Sequence, residues 1–203
     1  MSPGWIRRID GREPLVAYRE VEAIVSGAPS PTERRLRFAA LLASALGASE
    51  TEFVVVGGSA IEFYTRGQYT TGDVDVVYTG RTEVSKVLLE WRFVRQGRIW
   101  LNQRLGIVLD FVKPPYTGDL TRTQALETPY GSIRLAALED LIVKRLASAK
   151  HWRRPHDADH AQLLAAGYGD RIQWAYVERL ATQYDVEDLL AALRLWLADR
   201  RRT

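Results

Sequence analysis

Two acids separated by one residue, Asp73-Val74-Asp75, follow an apolar run that ends in Gly57-Gly58-Ser59. On a strand, residues i and i+2 share a face, so Asp73 and Asp75 project together while Val74 points into the opposite layer. Two such carboxylates repel each other unless a cation sits with them. Oxygen donors of this kind suit Mg2+, which takes one or two protein carboxylates and fills its other positions with water and substrate phosphate. Glycine lets a backbone approach a phosphate closely, and the free amides of a helix N-terminus attract an anion. Gly57 and Gly58, between a buried strand and a helix and about 15 residues before the acid pair, complete the pattern of a metal-dependent phosphate site.

A third acid, Asp110, lies in Ile107-Val108-Leu109-Asp110-Phe111-Val112, where every neighbour is apolar. An ionised carboxylate buried there must neutralise, pair with a base or bind a metal. A metal satisfies Asp73, Asp75 and Asp110 together. The plainer alternative is a solvent-facing position on a one-sided sheet, or a structural hydrogen bond.

Positioning these residues takes a sheet with helices upon it. Glu52 to Val56 reads as a buried strand, Ser59 to about Arg66 as a helix and Asp73 to Tyr78 as the second strand. Glu83 to Trp91 reads as a helix, and Phe93 to Trp100 and Leu105 to Val112 as further strands before Pro114-Pro115, with a short strand around Ile133. Upstream, Ser30-Pro31-Thr32-Glu33 is a helix start, with Ser30 as N-cap, proline at the first position and Glu33 closing a capping box. That helix runs to about Leu46 and stops at Gly47. Residues 1 to 29 read as irregular, around Gly11 and Pro14, with a short helix near Val16 to Val25. After Ile133 the pattern turns helical: Ala137 to Lys150, His156 to Ala166, Trp174 to Gln183 and Val186 to Arg201. The expected fold is α/β of the α+β kind, a small mixed sheet of four or five strands flanked by helices, in a domain over residues 1–135, followed by a helical region over 136–203.

The 203 residues, 46% hydrophobic and 26% charged, fit a soluble globular chain, and no apolar run approaches the roughly 20 residues that span a bilayer. No signal-like apolar segment follows Met1, so the expected location is cytoplasmic and no membrane partner is expected. The absence of cysteine excludes disulfides and thiolate chemistry but leaves oxygen-ligated metals. Net charge is +3, with basic residues gathered in Lys150-His151-Trp152-Arg153-Arg154 and Arg200-Arg201-Arg202. Those clusters are either a surface for a phosphate backbone or solvated helix ends. Trp152 is the candidate base-stacking platform, whereas Trp5, Trp91, Trp100, Trp174 and Trp196 read as core. His151, His156 and His160 do not make a convincing zinc trio by their spacing.

Gly-Gly-Ser, then Asp-x-Asp, then a third Asp on a later strand resembles the nucleotidyltransferase superfamily that includes DNA polymerase beta and CCA-adding enzymes. Leu138-Glu139-Asp140-Leu141-Ile142-Val143-Lys144-Arg145-Leu146, with Arg153-Arg154 and Asp157-Ala158-Asp159 beyond it, is similar to the small prokaryotic branch of abortive-infection-type nucleotidyltransferase toxins. The resemblance covers roughly residues 50 to 165. Thr71-Gly72 before the first acid departs from that branch's pattern.

The resemblance implies that Asp73 and Asp75 hold Mg2+, as one or two ions, with the triphosphate of an NTP such as ATP. It implies that Asp110 completes the metal site or activates an acceptor hydroxyl, and that Gly57, Gly58 and Ser59 hold phosphate oxygens. Lys144 becomes a point charge on the triphosphate and Arg66 a second cation within reach, each with a plain alternative as an exposed helix cation. Asp157 supports the Lys144 region or the nucleotide pocket, although it and Asp159 also suit the start of a helix. The implied reaction moves a nucleoside monophosphate to an acceptor and releases pyrophosphate. An RNA 3′ end such as tRNA is the favoured acceptor, then a protein hydroxyl, then an antibiotic. A toxin with a cognate antitoxin fits the same chemistry, and a nucleotide-binding or partner-binding module without catalysis is the rival class.

Overall fold

The computed structural model describes residues 16–49 and 51–200. Trp5, the irregular stretch around Gly11 and Pro14, and Arg201-Arg202 therefore lie outside the described residues.

The chain begins with two helices, α1 (Tyr18–Ser26) and α2 (Pro31–Ala45). The Ser30 hydroxyl accepts the Glu33 amide at 3.1 Å, so the N-cap forms as expected, while the Glu33 carboxylate takes Arg37 one turn on at 3.0 Å. Gly47 ends α2 at φ 57, with Gly47 N–H bonded to Ser44 O and Ala48 N–H to Ala43 O, a Schellman stop that only glycine enters freely.

Then come β1 (Phe53–Val55), α3 (Gly57–Tyr64), β2 (Val74–Tyr78), α4 (Val84–Glu90), β3 (Val94–Gln96), β4 (Ile99–Asn102), β5 (Ile107–Phe111), β6 (Gln124–Thr128) and β7 (Gly131–Leu135). These strands form one mixed sheet in the order β3-β4-β5-β2-β1-β7-β6. The sheet has seven strands rather than four or five, for two local reasons. Phe93 to Trp100 is not one strand: Gly97, at φ 60, turns it into the β3–β4 hairpin, with Val94 opposite Leu101 and Gln96 opposite Ile99. At the other edge, β6 pairs antiparallel with β7, and its alternate residues Ala125 and Glu127 face water. The helix after β1 also starts two residues earlier than expected, at Gly57, so both glycines belong to its first turn.

Helices α5 (Leu138–His151), α6 (His156–Tyr168), α7 (Trp174–Gln183) and α8 (Glu187–Arg200) complete the chain. One apolar core runs from Phe38 and Leu42 of α2 through Val55 and Val76 of the sheet to Ile142 of α5 and Leu164 of α6. It therefore continues across the boundary expected at residue 135. Among the described residues, no helix is long and apolar enough to cross a membrane.

Two ladder pairings fix the site. Antiparallel β1 and β2 bring Val55 opposite Val76, and Val56 N–H bonds Asp75 O, so the end of β1 lies beside the acid pair. Parallel β1 and β7 bring Val55 opposite Leu135, and Ala136 N–H bonds Val55 O, so α5 starts at the same end of the sheet.

Candidate active site

Parallel β2 and β5 pair Asp75 with Asp110 and Val74 with Leu109. Paired residues point the same way, so the two carboxylates stand side by side on one face, on backbones about 4.8 Å apart, while Val74 and Leu109 are fully buried on the other. Asp73 precedes β2, and its Oδ1 accepts the Thr71 hydroxyl at 2.8 Å.

Ser59, wholly buried on α3, donates its hydroxyl to Asp73 O at 3.0 Å and accepts Asp75 N–H at 2.8 Å. That hydroxyl staples the acid-bearing segment to α3. Gly57, at φ 60, is where the backbone comes closest: a Cβ there would stand 2.6 Å from Asp75 Oδ2. The Gly58 amide favours the charged form of the Asp75 carboxylate. The glycine turn thus makes room for a carboxylate. Gly57→Ala is expected to unfold about 3–8 °C below wild type, from about 1–2 kcal/mol of left-handed strain plus displacement of Asp75. Calorimetry checks this, and an unchanged midpoint would show that the close approach is not enforced.

A cavity of about 630 Å³ opens over this face, with Gly57, Asp75 and Asp110 on one side and the α5 residues Asp140, Lys144 and Arg145 on another. Burial, then the charges of Asp73 and Asp110, push the Asp75 carboxyl up to about 6 against the Gly58 amide and Arg145. The third wall is the loop after β5. Asp140 anchors it, accepting the Tyr116 hydroxyl at 2.8 Å and the Asp119 amide at 3.0 Å, and also takes the Tyr176 hydroxyl at 3.1 Å.

Lys144 lines the cavity, its Nζ donating to Thr117 Oγ1 at 2.9 Å and lying 5.4 Å from the Tyr116 ring centre. Burial lowers its pKa, opposed by Asp140. Asp157 is buried and does not line the cavity. It accepts Arg145 at 2.9 Å, together with the Ser148 hydroxyl and His160 Nδ1, and so aims Arg145. Arg66 does not belong to the site: it is exposed at the far end of α3 from the glycines, at φ 51, and does not line the cavity.

Three lining cations escaped the sequence reading: Arg98, Lys113 and Arg145. Arg145 had a signal, since it follows Lys144 in the same motif. Lys113, three residues past Asp110, had a weaker one. Arg98 had none once Phe93 to Trp100 was read as an unbroken strand.

Asp110 carries the observation that bears on a metal. Its Oδ2 lies 2.9 Å from Arg98, while its Oδ1 is buried without a hydrogen-bond partner. Among the described residues, no three Asp, Glu or His side chains converge as a ready-made cage. Asp75 and Asp110 nevertheless suit Mg2+, which needs only one or two carboxylates when phosphate and water supply the rest, and the orphaned oxygen is a free donor for it.

Elsewhere, Lys150 is tied to Asp188 at 3.0 Å and Asp185 at 3.4 Å, and His151 bonds Tyr184 O at 2.8 Å. His156 pairs with Asp159, so the three histidines each have separate partners. Trp152, at the end of α5, is 68% exposed, and Arg153 and Arg154 beside it are exposed too.

The family described as "Nucleotidyltransferase of unknown function (DUF6036)" matches residues 36–194, well over half of the chain. No curated protein and no solved structure matches it.

Proposed function

The chain belongs to this nucleotidyltransferase family, and from that premise we propose that it transfers a nucleoside monophosphate from an NTP to an acceptor hydroxyl with the help of Mg2+. The observation that carries this is the pairing of Asp75 with Asp110, one buried oxygen left free, in a cavity walled by lysine and arginine. Carboxylates alone would repel a triphosphate and cations alone would need no acids. The two together suit a metal-bound nucleotide.

Asp75 and Asp110, with Asp73 beside them, would hold the metal. When bound, it supplies neutralisation of charge on the phosphates. Lys144 and Arg145 face the same space and bind triphosphate oxygens, Arg145 held in aim by Asp157. Ser59 and the Gly58 amide keep the acid strand in place. The acceptor oxygen bonds to the α-phosphorus, the bond to the β-phosphate oxygen breaks, and pyrophosphate leaves. The hydroxyl proton passes to a carboxylate of the acid group.

An RNA 3′ end is the acceptor this surface favours. The helix that presents Lys144 and Arg145 ends eight residues later at exposed Trp152 with Arg153 and Arg154. That is about 12 Å along its axis, within reach of neighbouring nucleotides. The test is incubation with Mg2+, each α-labelled NTP and total RNA, beside Asp73→Ala/Asp75→Ala. Label on RNA that is absent with the variant is the expected result. Label on the protein would move the acceptor to a protein hydroxyl. No label from folded protein with any NTP would leave a nucleotide-binding module instead.

A further inference from the structure

Arg98 stands apart from the other cations of the cavity. Lys144 is held by Thr117, and Arg145 by Asp157. Arg98 sits at the tip of the β3–β4 hairpin, directly after Gly97, with its side chain 83% exposed and its guanidinium directed at a single oxygen of Asp110. The partner carboxylate is 8% exposed. A guanidinium grips a carboxylate best with two parallel bonds; here one N···O contact of 2.9 Å is made and Oδ1 is left bare. With its cation mostly in water and only one contact made, this pair holds Arg98 weakly, so the guanidinium can be exchanged for a stronger partner of the carboxylate. The hairpin places Arg98 where it must compete: antiparallel pairing sets Ile99 opposite Asp110, and Arg98 is the next residue out.

We infer that Arg98 is a tethered counter-ion that occupies Asp110 in place of the divalent cation, and that on displacement it takes up a phosphate oxygen of the incoming nucleotide. The inference rests on the metal reading proposed above and adds an order to it: nucleotide phosphate draws Arg98 away as the metal takes the carboxylate. Both exchanges pair opposite charges, guanidinium passing from carboxylate to phosphate and the cation taking the vacated oxygen. Without nucleotide, Arg98 holds metal affinity down.

The test is a Mn2+ titration of the full chain without nucleotide, following free Mn2+ by electron paramagnetic resonance, on wild type, Arg98→Ala, Arg98→Lys and Asp75→Asn. Arg98→Ala is expected to bind Mn2+ about three- to tenfold tighter, Arg98→Lys to stay near wild type and Asp75→Asn to bind more weakly. In saturating Mn2+, a non-hydrolysable α,β-methylene NTP is expected to bind Arg98→Ala about tenfold more weakly than wild type. Opposite signs for metal and nucleotide are the signature, because a hairpin residue that only supported the fold would weaken both. Unchanged or weaker Mn2+ binding by Arg98→Ala overturns the inference while Asp75→Asn still reports a metal site, and unchanged nucleotide binding overturns its second half. Equal failure of all four proteins to bind Mn2+ overturns the metal reading and the inference with it.

Discussion

Asp75→Asn is expected to lose nucleotidyl transfer by on the order of 10³-fold or more, and at the same time to make the metal-free protein more stable at neutral pH. The loss follows from removing a charged metal donor whose neighbours cannot move to replace it, about 4 kcal/mol of barrier at about 1.4 kcal/mol per factor of ten. The gain follows from burial and like charge. The folded state raises the Asp75 carboxyl from 3.8 to about 6, mainly by burial and then by Asp73 and Asp110. Folded protein therefore binds the proton more readily than the unfolded chain does. Stability associated with that proton is fully present below about pH 4 and is lost as pH rises through about 6. Asparagine carries no such penalty. The difference in melting midpoint between variant and wild type should be small at pH 4, grow through pH 6 and level off above it. Added Mg2+ should then raise the wild-type midpoint more than the variant's. A midpoint difference that does not change between pH 4 and 8 would show that Asp75 is not held against its neighbours' charge.

Glu62→Ala is expected to have the largest effect on folding, at about 3–5 kcal/mol. Glu62 is completely buried on α3 and holds three partners together through four hydrogen bonds. Arg35 of α2 reaches it with Nε at 3.0 Å and with a second nitrogen, Thr32 donates its hydroxyl at 2.6 Å, and the Thr71 amide donates at 3.2 Å. Removing the acid leaves a mostly buried guanidinium without its charge partner and frees the segment whose Thr71 hydroxyl steadies Asp73. The double variant Arg35→Met/Glu62→Leu should cost less than either single change, since apolar side chains of similar volume replace a pair rather than orphan half of it. Urea unfolding of the three proteins decides this. A single Glu62→Ala penalty below about 1 kcal/mol would mean that the pair is not what joins α2 to α3.

What could be read from the chain was what neighbouring residues decide between themselves. Ser30 caps α2 because of its hydroxyl and Gly47 stops the helix because of its φ, whereas Asp73 lies just before β2 rather than on it, so strand alternation does not set its direction. The Glu62 pairing was not legible by the same rule: Ala60, Ile61, Phe63 and Tyr64 around it point to burial, but its partner Arg35 lies 27 residues away. The β3–β4 hairpin had a signal, since Arg95-Gln96-Gly97-Arg98 separates Phe93-Val94 from Ile99-Trp100, but strands of only three and four residues leave too short a pattern on either side of the turn to show as two elements. With it went Arg98, whose ion pair depends on β4 lying beside β5. The bonds of Ser59 to Asp73 O and Asp75 N–H were likewise not legible, because residue type foretells a hydroxyl but not which of several nearby groups it will bond.

The parallel register of β2 and β5 has a further meaning for how the sheet finds its pairing. Side chains alternate, so sliding β5 by one residue against β2 would turn every one of its side chains to the opposite face. Asp110 would enter the apolar layer now filled by Leu109 and Ile107, as an unpaired charge, and those two residues would face the charged cavity. A strand of Val, Ile and Leu alone would have tolerated such a slip far better. Asp110 therefore makes the neighbouring mispairing costly, and a strand bearing this acid has one favourable way to join the sheet.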